Sequence, residues 1–181
     1  MSIGTSGRKK TLSNIVNLSK EEVRACADIA LNRWMMKFGS VDRPNYAGEN
    51  KKNMEPEIAA NVRSIVAEYA VAKFYKKPLT FPFYPNEEHS YRSKFADVQP
   101  NIEVKSVRTR DEVPVFPKDI KNGGILVGAR VTDNDYYSEV EIYGWMPMED
   151  VEKNAYWSVE MNGDRQCWRV YTDKWNDKDP I

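Results

Sequence analysis

A single histidine, His89, serves the whole chain. Zinc sites built from several imidazoles, and the His-Cys centres of zinc deaminases, are excluded on that ground. A Ser-His-Asp or Cys-His apparatus would have to rest on His89 alone, which follows Glu87-Glu88 in a proline-rich loop. Cysteine is almost as scarce. Cys26 and Cys167 stand far apart with no CxxC, so neither a zinc knuckle nor a disulfide framework is signalled, and each reads as a small buried hydrophobe. Net charge is missing too, because 27 Lys and Arg face 27 Asp and Glu. That balance removes the simplest argument for a nucleic-acid partner without excluding a local basic stripe. No run approaches the roughly 18 apolar residues of a membrane span, and the N-terminus has no signal-peptide core. A soluble, cytoplasmic protein is the expectation.

What the chain does contain suits one domain, since 181 residues can enclose a proper hydrophobic core. Residues 1–17, opening "MSIGTSGRKK", read as a flexible N-terminal arm, 18–175 as a single domain and 176–181 as a frayed tail. Ser19 and Glu22 form a capping box, after which Val23, Cys26, Ala27, Ala30, Trp34 and Phe38 recur at helical spacing up to Gly39. A polar loop over 40–53 precedes a second predicted helix over 56–75, with the stripe Ile58, Val62, Ile65, Val66, Tyr69 and Phe74. The period then changes to two. Strands are predicted at 93–98, 102–108, 124–132, 138–146 and 166–172, with helical pieces near 117–122 and 148–153. The fold class that follows is α/β: a central, mostly hairpin-linked mixed sheet flanked by helices.

One segment, "FADVQPNIEVKSV" at 95–107, carries the chemistry. With Gln99-Pro100-Asn101 as a three-residue hairpin loop, Val98 would face Ile102 and Asp97 would face Glu103. Glu103 and Lys105 share one face of their strand, and Ile102 and Val104 take the other. Two opposed carboxylates repel unless something offsets their charge. Lys105 brings one positive charge and a divalent cation would bring two. Oxygen ligands of this kind favour Mg²⁺ or Mn²⁺ over zinc. A hydrated metal beside an amine suits phosphodiester hydrolysis, with Lys105 orienting the attacking water or contacting phosphate oxygens. A solvated cross-strand salt bridge accounts for the same residues. The tripeptide acid-x-Lys is no signal by itself, because Glu49-Asn50-Lys51 and Asp119-Ile120-Lys121 repeat it.

Asp97 followed by Glu103-Val104-Lys105 resembles the PD-(D/E)XK nuclease superfamily, the restriction-endonuclease-like fold. "VAEYAVAKFY" at 66–75 resembles the helix before the hairpin in phage-type and recombination-type members, where a glutamate after a small residue points at the metal. Ala67-Glu68 fills that place. "ILVGARV" and "VEIYGWM" continue the order. The resemblance covers about 56–146 and implies an α-β-β-β-α-β core. It also implies an Mg²⁺- or Mn²⁺-dependent deoxyribonuclease, endonucleolytic and in a phage or mobile-element setting. Asp97, Glu103, Glu68 and the main-chain carbonyl of Val104 would hold the metal, and Lys105 would act on water. Two departures stand out: Ala96 replaces the name-giving proline, and the Gln-x-x-x-Tyr signature is absent after the lysine, which speaks against a processive exonuclease.

Arg92, Lys94, Arg108, Arg110, Lys118 and Lys121 flank this segment, interleaved with Tyr84, Tyr91 and Phe116, and would clamp backbone phosphates of DNA. Trp145, Trp157 and Trp168 read as packing rather than base-stacking residues. A Holliday-junction resolvase or exonuclease is the nearest enzymatic alternative, with a homodimer favouring junctions or paired cuts. From another class, the alternative is a catalytically inactive DNA- or protein-binding or inhibitor module.

Overall fold

The computed structural model describes residues 14–36, 54–80, 96–107, 111–120, 123–158 and 166–176, with the side chain of Lys118 outside that set. The first element is a strand, β1 (Asn14–Asn17), so the segment expected as an arm contributes sheet from residue 14 onward. Helix α1 (Lys20–Met36) begins at the capping box read from the sequence. The Ser19 N–H donates to Glu22 Oε2 at 2.7 Å, and the Glu22 N–H donates back to Ser19 Oγ at 3.3 Å.

Helix α2 (Met54–Tyr75) ends without a glycine. Lys76 takes the left-handed conformation at φ 54°, and Lys77 donates to the Ala72 carbonyl at 2.9 Å while Lys76 donates to Lys73 at 3.3 Å. That pair of bonds is a Schellman close, and Pro78 follows where no helix can continue. The two helices run antiparallel. Glu22 near the start of α1 accepts from Lys73 at 2.8 Å near the end of α2, and the Trp34 indole near the end of α1 donates to Glu57 at 2.8 Å near the start of α2.

Strands β2 (Ile102–Val107), β4 (Ile125–Val131) and β5 (Glu139–Pro147) join β1 in a four-stranded sheet of order β1-β5-β4-β2. β2 and β4 are parallel and the other pairs antiparallel, so the sheet is mixed but less hairpin-linked than the sequence predicts. Between β2 and β4 the chain leaves for β3 (Glu112–Val115), a 3-10 turn (Pro117–Asp119) marking its return. β3 belongs to a second, antiparallel sheet of order β3-β7-β6, completed by β6 (Ala155–Ser158) and β7 (Cys167–Tyr171). Among the described residues, the helix between β5 and β6 is a single turn, Val151–Asn154, preceded by a 3-10 turn at Met148–Asp150. Where the sequence predicts a strand over 93–98, residues 96–98 carry two isolated bridges, both at Val98, and 93–95 lie outside the described residues.

The four-stranded sheet separates two apolar cores. On one face Val104, Val127, Ala129, Val131, Val140 and Ile142 meet Ile65, Val66 and Ala70 of α2, with Cys26 and Ala30 of α1 behind them. On the other, Leu126, Met146 and Met148 meet Val113, Val115 and Val170 of the second sheet. α2 is therefore covered by α1 on one side and by strands on the other, which suits its lack of a polar face over 65–72. A bulge decides which residues of β5 serve which core. Gly128 pairs with Gly144 while Ala129 pairs with Ile142, and the extra residue, Tyr143, reverses which side chains of β5 face the helices. Among the described residues no helix is long and apolar enough to cross a membrane.

Candidate functional site

β2 is an edge strand, and its alternation sorts the candidate residues. Ile102 and Val104 enter the helix-side core, so Glu103 and Lys105 face the opposite side, where Val107 joins the second core. The turn before β2 is closed as the sequence predicts. Val98 and Ile102 exchange backbone hydrogen bonds of 3.0 and 2.9 Å, and Val98 also bridges to Leu79. Pairing stops there. The Asp97 carboxylate does not stand across from Glu103 as in a regular ladder; its Oδ2 accepts from the Val104 N–H at 2.9 Å. An edge strand offers such a donor because one flank has no neighbouring strand. The Asp97 main chain is fixed as well, its carbonyl accepting from Thr80 at 2.9 Å.

Lys105 lies between two carboxylates. Its Nζ is 3.3 Å from Glu103 Oε1 and 3.1 Å from Asp119 Oδ2. Asp119 is buried, arrives on the turn after β3, and also accepts from the Phe116 N–H at 3.1 Å. Burial alone would lower the Lys105 amine, but the carboxylates of Asp119, Glu103 and Asp97 outweigh it and hold the group above its ordinary value, as an ammonium at neutral pH.

Glu68 is buried in the face of α2, beneath α1. Arg33 reaches it bidentately, Nη1 to Oε1 at 3.1 Å and Nη2 to Oε2 at 3.0 Å. Fork-to-fork contact of this kind fixes both the position and the plane of the carboxylate. Glu68 still acts on the rest of the cluster. Burial pushes the Asp97 carboxyl well above the usual carboxylate range, and the negative charges of Glu68 and Glu103 push it further, against the opposing pull of Lys105 and the Val104 N–H. Through Asp97, Glu68 shares an electrostatic neighbourhood with Glu103 and Lys105, although it lies on the helix side of the sheet and they face the other.

Two members of that neighbourhood escaped the sequence reading. Arg33 is an ordinary basic residue in the last turn of α1, 35 positions from Glu68, with no local signal of its partner. Asp119 sits in one of the acid-x-Lys tripeptides that carry no information by themselves. The cluster so assembled holds four carboxyls, Glu68, Asp97, Glu103 and Asp119, against two cations, Arg33 and Lys105. As placed, no three carboxylate, imidazole or thiolate groups among the described residues converge tightly enough to enclose a metal ion.

Of the expected phosphate-contacting residues, Arg92, Lys94, Arg108, Arg110 and Lys121 lie outside the described residues, as does the side chain of Lys118. Phe116 is half-buried at the start of the 3-10 turn. Trp157 and Trp168 pack edge to face with ring centroids 5.0 Å apart, and Trp145 packs against the helix-side core. Both cysteines are buried; burial first, and then the charges of Glu68 and Glu22, push the Cys26 thiol up to about 12. Comparison of the chain with protein-family models, with curated proteins and with solved structures finds no match.

Proposed function

We propose that this chain is a divalent-metal-dependent nuclease that hydrolyses DNA phosphodiester bonds, endonucleolytic in mode and restriction-endonuclease-like in its core. One observation carries the reading: Asp97 takes the Val104 N–H of an edge strand whose Glu103 and Lys105 form an ion pair, and the charges of Glu68 and Glu103 both act on the buried Asp97. Structural salt-bridge clusters tend to neutralise themselves; this one leaves a carboxyl that ionises reluctantly unless a cation arrives.

The donors fit a hard cation, all being oxygen. Asp97 and Glu103 would hold Mg²⁺ or Mn²⁺ together with the main-chain carbonyl of Val104. A strand residue turns its N–H and C=O to the same flank, so that carbonyl shares the flank on which Asp97 meets the Val104 N–H. Glu68, held by Arg33, would add negative charge behind them. The bound ion supplies charge neutralisation at the scissile phosphate and acidifies a water. Lys105, kept as an ammonium, donates hydrogen bonds to the attacking water or to a phosphate oxygen; it is not a proton acceptor. Arg92, Lys94, Arg108, Arg110, Lys118 and Lys121 would hold flanking phosphates, giving salt-sensitive affinity without base specificity. A phage or mobile-element setting fits the same resemblance.

A second reading has its own observation. Glu68 is already paired with Arg33, and Lys105 with Glu103 and Asp119, as the charged groups of a non-catalytic DNA- or protein-binding module would be. Plasmid nicking separates the two. With Mg²⁺ the native chain should convert supercoiled to open circles, EDTA should stop it, and Lys105→Ala and Asp97→Asn should each slow it by about 10²–10⁴-fold. Cleavage that survives both substitutions removes these residues from the mechanism. Absence of cleavage on duplex, single-stranded and branched DNA favours the binding module. Digestion confined to ends or to four-way junctions identifies the exonuclease or resolvase variant.

A further inference from the structure

The geometry points to Asp119 as the positioning residue that aims the Lys105 ammonium at the reaction centre, an inference that rests on the nuclease reading. A lysine head group is a compact charge on a flexible four-carbon stem, and one partner does not fix it. Here it has two, on different elements: Glu103 Oε1 at 3.3 Å on its own strand and Asp119 Oδ2 at 3.1 Å on the turn after β3. Their duties differ. Glu103 would turn its oxygens to the metal, and its hold on Lys105 would weaken when the metal binds. Asp119 reaches Lys105 from a different element, the 3-10 turn on the chain's return path, and has no such duty.

Asp119 is also prepared for the task. It is only 7% exposed. Its Oδ2 takes the Phe116 N–H at 3.1 Å, while its own N–H donates to the Phe116 carbonyl at 2.8 Å. Pro117 opens the turn with a fixed φ, and Ile120, which donates to the Pro117 carbonyl at 3.2 Å, packs on the second core. The carboxylate is thus set by a rigid turn tied to the core before any substrate arrives, as a residue supporting a functional group must be. Lys105 has three donors, so with two directed at Glu103 and Asp119 the third has a defined direction.

The test uses the full chain and four variants: Asp119→Asn, Asp119→Glu, Lys105→Ala, and Asp119→Asn combined with Lys105→Ala. In nicking assays with Mg²⁺, Asp119→Asn should lower kcat roughly 10–100-fold with KM nearly unchanged, and Asp119→Glu should recover part of the loss. The Asn change should have no further effect once Lys105 is alanine. A second readout needs neither metal nor substrate: acetylation of Lys105 by an N-hydroxysuccinimide ester at fixed pH, followed by peptide mapping. Lys105 should react roughly tenfold faster in Asp119→Asn. Lys73, paired with Glu22 at 2.8 Å, should react at its native rate, showing that the fold is intact. Losses that multiply in the double variant, or an unchanged acetylation rate, overturn the proposal while leaving the nuclease reading standing. No cleavage by the native chain overturns that reading and this proposal together.

Discussion

At the residue scale, Asp97 sets the sharpest expectation. Its carboxyl is raised by burial and then by Glu68 and Glu103, so the folded chain holds a proton that the unfolded chain gives up near pH 4. Below that pH the group is neutral in both states. As pH rises the unfolded chain ionises first, and stability drains away until the raised folded value is passed. Asp97→Asn keeps an oxygen for the Val104 N–H and removes the charge. In metal-free buffer it should therefore match the native chain near pH 4 and exceed it at neutral pH, each kcal/mol appearing as about 2–4 °C in Tm. Thermal melts at the two pH values check this, and a neutral-pH melt with the native chain on top would sink it. The closed turn between Val98 and Ile102 and the shared face of Glu103 and Lys105 were legible from two local features, a turn and an alternation of period two, whereas the Asp97 carboxylate turns to the Val104 N–H instead of standing across from Glu103. Asp119 was not, because what brings it to Lys105 is an excursion through a second sheet.

At the scale of elements, the Arg33–Glu68 pair is one of the ties between α1 and α2 and, among the described residues, the most buried of their ion pairs. Both side chains are about one-tenth exposed, and contact is bidentate. Removing only the cation leaves a carboxylate without its partner in low dielectric, so Arg33→Ala should cost about 3–5 kcal/mol in urea melts. Arg33→Met with Glu68→Leu should recover most of that, since an apolar pair of similar volume often replaces a buried ion pair at little cost. Failure of the double substitution to recover would mean that Arg33 holds the helices by other contacts. The long helices were readable from capping and periodicity, because each signal is local. β1, β3 and β6 were not. Each has four residues, too few to establish a period, and β3 contains Pro114. Its place at the edge of the second sheet is what tolerates a residue with no N–H to donate.

For the molecule as a whole, two glycines join the C-terminal segment to the sheet. Gly128 and Gly144 pair across β4 and β5 and leave a slot. Trp175 lies in it, its ring 2.9–3.1 Å from where a Gly128 Cβ would stand. Asn176 bridges to Trp145 through hydrogen bonds of 3.1 and 2.9 Å. A Cβ on Gly144 would collide with the Asn176 main-chain oxygen, and φ there is +138°. Gly144→Ala should lower Tm by about 3–10 °C. Gly123→Ala, at φ +70° with open space around it, should cost only about 1–2 kcal/mol. Equal losses at the two sites would show that steric closure of the slot contributes nothing. The α/β class was legible from the switch of period after residue 75, but no local pattern shows that a sheet parts two cores.

The bridge at Asn176 has a practical meaning for anyone handling the protein. A stop introduced at position 174 would withdraw Trp175 from the slot between the two glycines and from the second core, exposing apolar surface and inviting aggregation. Purification handles therefore belong downstream of Asn176, and a truncation series should show a cliff at that point instead of a gradual decline.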